Sequence, residues 1–168
     1  MSFEQAKAKL TIGSLDEAGL NVSAQYNPKE LQVDQNVPWK KPEAATKTGS
    51  QTGGGGSSPL EVEFTGAEGR SMTIEMLFDG YEPDGGRAVN VRDEVDKLTR
   101  LATVREPDSN DEQKRRPHHC VIAWGSRGLP KFECVIESLS TKYSMFSSEG
   151  EPLRATCTVK LKEASVKK

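Results

Sequence analysis

The segment Leu153-Arg-Ala-Thr-Cys-Thr-Val-Lys-Leu-Lys-Glu163 alternates apolar and polar residues almost without fault. Leu153, Ala155, Cys157, Val159 and Leu161 fall on one side of an extended chain, and Arg154, Thr156, Thr158, Lys160 and Lys162 on the other. That period of two predicts a strand of about eleven residues, long against a usual length of roughly five or six. Upstream, Lys131–Phe146 predicts a second strand, joined to the first by the polar turn Ser-Ser-Glu-Gly-Glu-Pro. A long strand with one dry and one charged face needs neighbours on its edges and a core on one side only. No catalytic dyad or triad runs along it, which is the profile of a structural β-element.

Shorter strand-like segments occupy residues 6–12, Leu20–Tyr26 and Leu31–Trp39. Asn27-Pro28 marks a turn after the second. Pro38 lacks a ladder donor, so the third is expected at a sheet edge or at a bulge. Pro59–Phe64 alternates Leu60, Val62 and Phe64, and Arg70–Phe78 alternates Met72, Ile74, Met76 and Phe78. With Thr65–Gly69 as a turn, the two predict a hairpin with one core face. Between Lys40 and Ser58 no large apolar residue occurs and Gly53–Gly56 is a glycine run. Residues 40–58 are therefore read as a flexible Gly/Ser-rich loop, either a linker or a segment that orders against a partner.

The period changes after Gly86. Val91, Val95, Leu98 and Leu101 recur at helical spacing, with Asn90 as N-cap and Asp93/Lys97 and Asp96/Arg100 as i,i+4 pairs, so a helix is expected over Val91–Thr103. A charged loop, Glu106–Arg116, then leads to a buried strand, His119–Trp124. The order of elements implies a mainly β, α+β chain dominated by antiparallel sheet.

At 168 residues, with 34% hydrophobic and 29% charged residues, the chain has material for one core and is expected to form a single domain over 1–168. A formal charge of −2 argues against a general nucleic-acid binder. No apolar run approaches the roughly 20 residues of a membrane span, and the first residues carry no hydrophobic export segment. Cys120, Cys134 and Cys157 each fall in a predicted strand, which suits free thiols in a reducing cytoplasm.

Candidate chemistry is sparse. His118-His119-Cys120 clusters nitrogen and sulfur, but no second ligand pair accompanies it and neighbours on a strand point to opposite faces. Asp108–Glu112 lacks the glycine and the distal glutamate of a calcium loop. Gly53–Gly56 is followed by no Gly-Lys-Ser/Thr. The basic run Lys114-Arg115-Arg116 is either a solvated face or a partner for an acidic neighbouring subunit. Met72 and Met76 are expected in the core. The reading is of a protein without catalytic, cofactor or metal residues.

Six pieces in a fixed order carry a resemblance: Tyr26–Leu31; Leu60–Gly66; Met72–Asp79; Val91-Arg-Asp with Asp96-Lys-Leu98; Arg116–Gly125; and Val135-Ile-Glu-Ser with Lys142–Ala155. The chain from about Ala6 to Glu163 resembles the tube and tube-initiator (baseplate-hub) proteins of contractile injection systems, the phage-tail-like particles. The resemblance implies a small antiparallel β-barrel or sandwich with one flanking helix, assembled as a homo-hexameric ring whose sheets join edge to edge around a channel. Implied partners are neighbouring tube rings, the spike or hub protein and baseplate components, with the sheath as a further candidate; nucleic acid and direct membrane insertion are not among them. Many similar proteins add a LysM module, which this chain does not contain before its last residue, Lys168. The resemblance implies an adaptor ring between spike and inner tube, built in the cytoplasm into the particle. The alternatives are the main inner-tube subunit or a stand-alone small β-barrel that binds a ligand. Under the ring reading the hairpin Leu60–Phe78 and the strand pair Lys131–Glu163 line the channel, with Glu61, Glu63, Thr73, Glu75, Thr156, Thr158 and Lys160 as its polar face. The loop Lys40–Ser58, with Lys41 and Ser58 among its contact residues, meets the stacked ring and is disordered when free, and the helix Val91–Thr103 lies on the outer wall.

Overall fold

A computed structural model describes residues 8–41, 62–66, 68–84 and 86–165. Nine strands and one helix follow in the order β1 (Leu10–Ser14), β2 (Asn21–Ser23), β3 (Gln32–Asp34), β4 (Trp39–Lys40), β5 (Glu63–Phe64), β6 (Ser71–Asp79), α1 (Val91–Ala102), β7 (Cys120–Trp124), β8 (Phe132–Phe146) and β9 (Pro152–Glu163). Seven strands make one antiparallel sheet in the order β2-β1-β7-β8-β9-β6-β3, and β4 and β5 pair separately. The protein is mainly β with one helix.

The alternation in β9 becomes the division of the sheet into two sides. Ala155, Cys157, Val159 and Leu161 are buried, and so are Met72, Ile74, Met76 and Phe78, their direct partners on β6. On β8 the apolar phase runs Phe132, Cys134, Ile136 and then slips by one residue to Leu139 and Tyr143. A bulge between Ile136 and Ser138 absorbs that slip, so Leu139 still packs against the core while Tyr143, on the same side, runs out beyond it and is exposed. Leu10, Ile12, Val22, Cys120 and Ile122 complete the same face.

Helix α1 covers that face. Val91, Val95, Leu98 and Leu101 are buried against it, and the Asn90 side chain accepts from the N–H groups of Arg92 and Asp93, at 3.1 and 3.3 Å. The i,i+4 pairing expected on its wet side is replaced. Lys97 meets Glu94 one turn back, and Arg100 reaches out of the helix to Glu17 on the β1–β2 turn. A longer-range carboxylate is available to Arg100, so the local pair is not the one that forms.

The sheet curls until the chain after β2 meets the end of β6. There Gln25, buried, donates to the carbonyl of Asp79 at 3.0 Å and accepts from the Asp79 N–H at 2.8 Å. A side-chain amide thus makes the two bonds that a ladder residue would make. At the other end of β6, Gly69 lies so close to Glu163 that a Cβ would stand 2.7 Å from its carbonyl oxygen, which excludes any side chain there.

Two sequence expectations are corrected. Leu60–Phe78 is not a hairpin: β6 pairs with β9 and β3, while Glu63–Phe64 pairs with Trp39–Lys40. Val62 and Phe64 are exposed and contribute nothing to the core. The pattern of Leu60, Val62 and Phe64 specifies a strand with one apolar side but not which strand it meets. The single strand expected over Leu31–Trp39 is also divided: β3 ends at Asp34 as the last strand of the sheet, and Pro38 lies in the connection just before β4, outside either ladder.

Replacing Gln25 by Leu leaves both main-chain groups of Asp79 without a partner. The expected loss is about 2 kcal/mol, read as a lower urea midpoint with an unchanged slope.

Candidate assembly surface

The side of the sheet away from α1 carries the predicted polar residues in register. Thr73 faces Lys160, which faces Ser138; Glu75 faces Thr158, which faces Ser140; Leu77 faces Thr156, which faces Lys142. Thr73, Glu75, Thr156, Thr158 and Lys160 are therefore cross-strand neighbours on one surface, as the period of two requires. A groove of 590 Å³ runs beside it between the chain at Tyr26–Gln32 and the β6 residues Thr73, Glu75 and Leu77, with Thr158 in its floor. At its mouth the Tyr26 hydroxyl donates to Glu82 at 2.6 Å, which raises the phenol to about 12.

One ion pair closes the Asp79 end of the surface, and a second lies on the core side of the sheet, where Arg70 also covers the Phe132 ring. Arg154 donates through Nε to Asp79 at 3.1 Å. The N–H of Tyr81 and then this guanidinium hold the Asp79 carboxyl below the usual range, against its burial. Arg70 binds Glu163 through its side chain and its own N–H, bringing that carboxyl to about 2. The first pair spans β6 and β9; the second joins the end of β9 to the residue before β6.

The remaining predicted positions lie elsewhere. Glu63 belongs to the β4–β5 ribbon, directly opposite Lys40, and Lys41 is exposed at the ribbon's outer end. Glu61 and Ser58, with most of the 40–58 loop, fall outside the described residues. On the ribbon the Trp39 and Phe64 rings meet tilted by 58° at 5.5 Å between centroids, yet stay 57% and 51% exposed. Little in the sequence marks this exposed aromatic pair; the flanking Pro38 and two lysines give Trp39 a local hint that it lies outside a core.

The histidines are absorbed by the fold. Ser14 Oγ accepts from the N–H groups of Asp16 and Glu17 and lies 2.8 Å from His118 Nδ1. Both oxygen lone pairs are thus engaged, and its proton points at the imidazole: this serine locks a turn. His119 Nε2 sits 2.9 Å from the Ala164 carbonyl. Between them Asp16 is a hub that the sequence did not reveal. It receives the two terminal Arg116 nitrogens at 2.8 and 3.0 Å and the His119 N–H at 2.7 Å, with Arg105 at 3.4 Å. Arg116 of the basic run is thereby committed within the chain. Among the described residues no group of three or more His, Cys, Asp or Glu is placed to hold a metal ion. Cys120 and Cys134, direct partners across β7 and β8, are buried, and burial pushes both thiols up to about 12.

A sheet with a core on one side, an ordered polar surface on the other and an apolar ribbon outside the core defines a structural β-sheet subunit. The model for the family of contractile injection system tube proteins matches residues 4–168, and the chain belongs to that family. As a tube protein it associates with other tube or particle components. No curated protein matches the chain.

Stability is expected to fall in two stages with acid. Burial, with Arg105, lowers the His118 pKa, so the unfolded state takes up a proton first as pH drops through about 6.5. Asp16 is held at about 2, chiefly by Arg116. Its contribution of about 2 kcal/mol is complete above pH 4 and is lost between about pH 4 and 2. Chemical denaturation at stepped pH should show both stages. Asp16→Asn should shrink the second stage without abolishing it, because Asp79 and Glu163 are also held low, and should deepen the first, because the Asp16 charge supports the His118 pKa.

Proposed function

We propose that this protein is a non-enzymatic ring subunit: a homo-hexamer at the baseplate end of a contractile injection particle, adapting the spike or hub to the inner tube. The observation that carries the reading is the two-sided sheet with open edges. Among the described residues β8 has a partner on one side only from Val135 to Phe146, and β6 lacks a neighbour beyond Thr73 on the side of β3. An unpaired edge on each side of a three-strand centre lets copies join edge to edge, and closing the ring removes edges that otherwise invite aggregation. The channel surface is then the face with Thr73, Glu75, Thr156, Thr158 and Lys160, and α1 lies outside. Assembly takes place in the cytoplasm, and neighbouring tube rings, spike and baseplate components are the partners.

Electron microscopy of particles recovered through a tag on Lys168 tests the reading. Label at one end of sheathed needles is expected. Label along the whole needle identifies the main tube subunit instead, and isolated small particles from cells that make the machine overturn the ring reading. Deleting residues 41–58 should abolish particle assembly while the protomer keeps its unfolding midpoint; normal particles from that deletion would remove the loop from the contact.

A further inference from the structure

We propose that the β4–β5 ribbon of one copy docks on the β8–β9 hairpin tip of a second copy in the adjacent layer, an end-to-end contact built around Trp39, Phe64 and Phe146. The inference rests on the ring-subunit reading and names which surfaces meet when rings stack.

The two surfaces lie at opposite ends of the sheet. β3 places Asp34 opposite Ser71, and the chain then runs on past the start of β6, where Asn36 donates to Glu68 at 2.9 Å, into the ribbon. The hairpin tip lies past the other end: Arg154 faces Asp79, and Phe146 faces Pro152. The nine residues of β6 separate them by about 27 Å. Ribbon and tip therefore do not meet within one chain, but a second copy displaced along the strand direction brings them together. Each copy then offers one of each, which gives an open, polar stack.

Both surfaces are apolar where nothing in their own chain requires it. Trp39 and Phe64 pack on each other with Val37 exposed beside them, and no other strand or helix makes more than a slight contact with the ribbon among the described residues. At the tip Tyr143, Met145 and Phe146 are exposed, Phe146 to 59%. Aromatic side chains in this state are the usual anchors of an interface. Their charges are complementary: among the described residues Lys40 and Lys41, with the carboxylate Glu63, mark the ribbon's outer end, and the tip presents Glu149 and Glu151. The tip is already ordered. Ser147 accepts from the N–H groups of Glu149 and Glu151, its own N–H binds the Glu151 carbonyl at 2.9 Å, and Gly150 takes φ 83° to close the turn. Docking on such a turn costs little ordering entropy.

Cysteine cross-linking of the full chain tests the contact, since Cys120, Cys134 and Cys157 are buried and do not compete. Val37→Cys protein is mixed with Ser148→Cys protein at assembly concentration and treated with a short bismaleimide. The mixed dimer is expected in large excess over either homodimer. Trp39→Asp placed in the Val37→Cys chain should reduce it about tenfold or more, with an unchanged urea midpoint. Rings or tubes in the microscope together with no mixed dimer, or with normal stacking by Trp39→Asp, overturn the proposed contact and leave the ring subunit standing. A wild-type chain that stays monomeric at every concentration, with neither rings nor stacks, overturns both.

Discussion

Strand β9 is paired on both of its edges, and the rest of the molecule follows from that. Arg154–Lys162 lies against β6 and Pro152–Glu163 against β8, residue by residue. A slip of one position would bring Thr156, Thr158 and Lys160 into the core and expose Cys157, Val159 and Leu161. Neither neighbour can therefore shift alone. The bulge in β8 shows the same constraint from the other side: the apolar phase of β8 changes after Ile136, and the backbone gives way while the faces stay where β9 sets them. Core, polar surface, helix seat and both open edges are all located by that register.

What the sequence reveals follows from how local each determinant is. The faces of β9, the helix and its Asn90 cap are written in neighbouring residues, and they are read with errors of a residue or so at the ends. Five of the polar positions, Thr73, Glu75, Thr156, Thr158 and Lys160, could be assigned to a common surface because alternation fixes the face once β6 and β9 are strands. The pairing of Glu63–Phe64 could not be read in this way. Its alternation is the same whether its partner is β6, a few residues on, or β4, across the whole 40–58 segment. The turn residues before Arg70 suggest the nearer partner, and the long-range one wins. Asp16 was hidden for a related reason: its partners Arg105, Arg116 and His119 are about a hundred residues away, and nothing beside it in the chain marks it out.

The same distinction separates the two kinds of surface. The polar face is a by-product of the fold, since any strand that contributes one side to a core must present the other. The ribbon and the hairpin tip are not by-products. Trp39 and Phe64 bury little in their own chain, and the tip of β8 extends well past the last residue that β7 covers. Polar residues at these positions would leave the core as it is. Apolar side chains that the fold does not use and solubility opposes need another surface to cover them.

Direction is the further consequence. A sheet whose strands run between two unlike ends has an intrinsic polarity, and copies joined by unlike surfaces repeat it without inversion. Two-fold pairing through ribbon against ribbon would reverse it at every layer, and would set Lys40 and Lys41 of one copy against the same lysines of the next. Ribbon against tip keeps each strand parallel to itself and meets those lysines with Glu149 and Glu151. For a component of a tube that must carry one end forward, a contact that enforces head-to-tail order supplies through charge and shape what a symmetric contact would forbid.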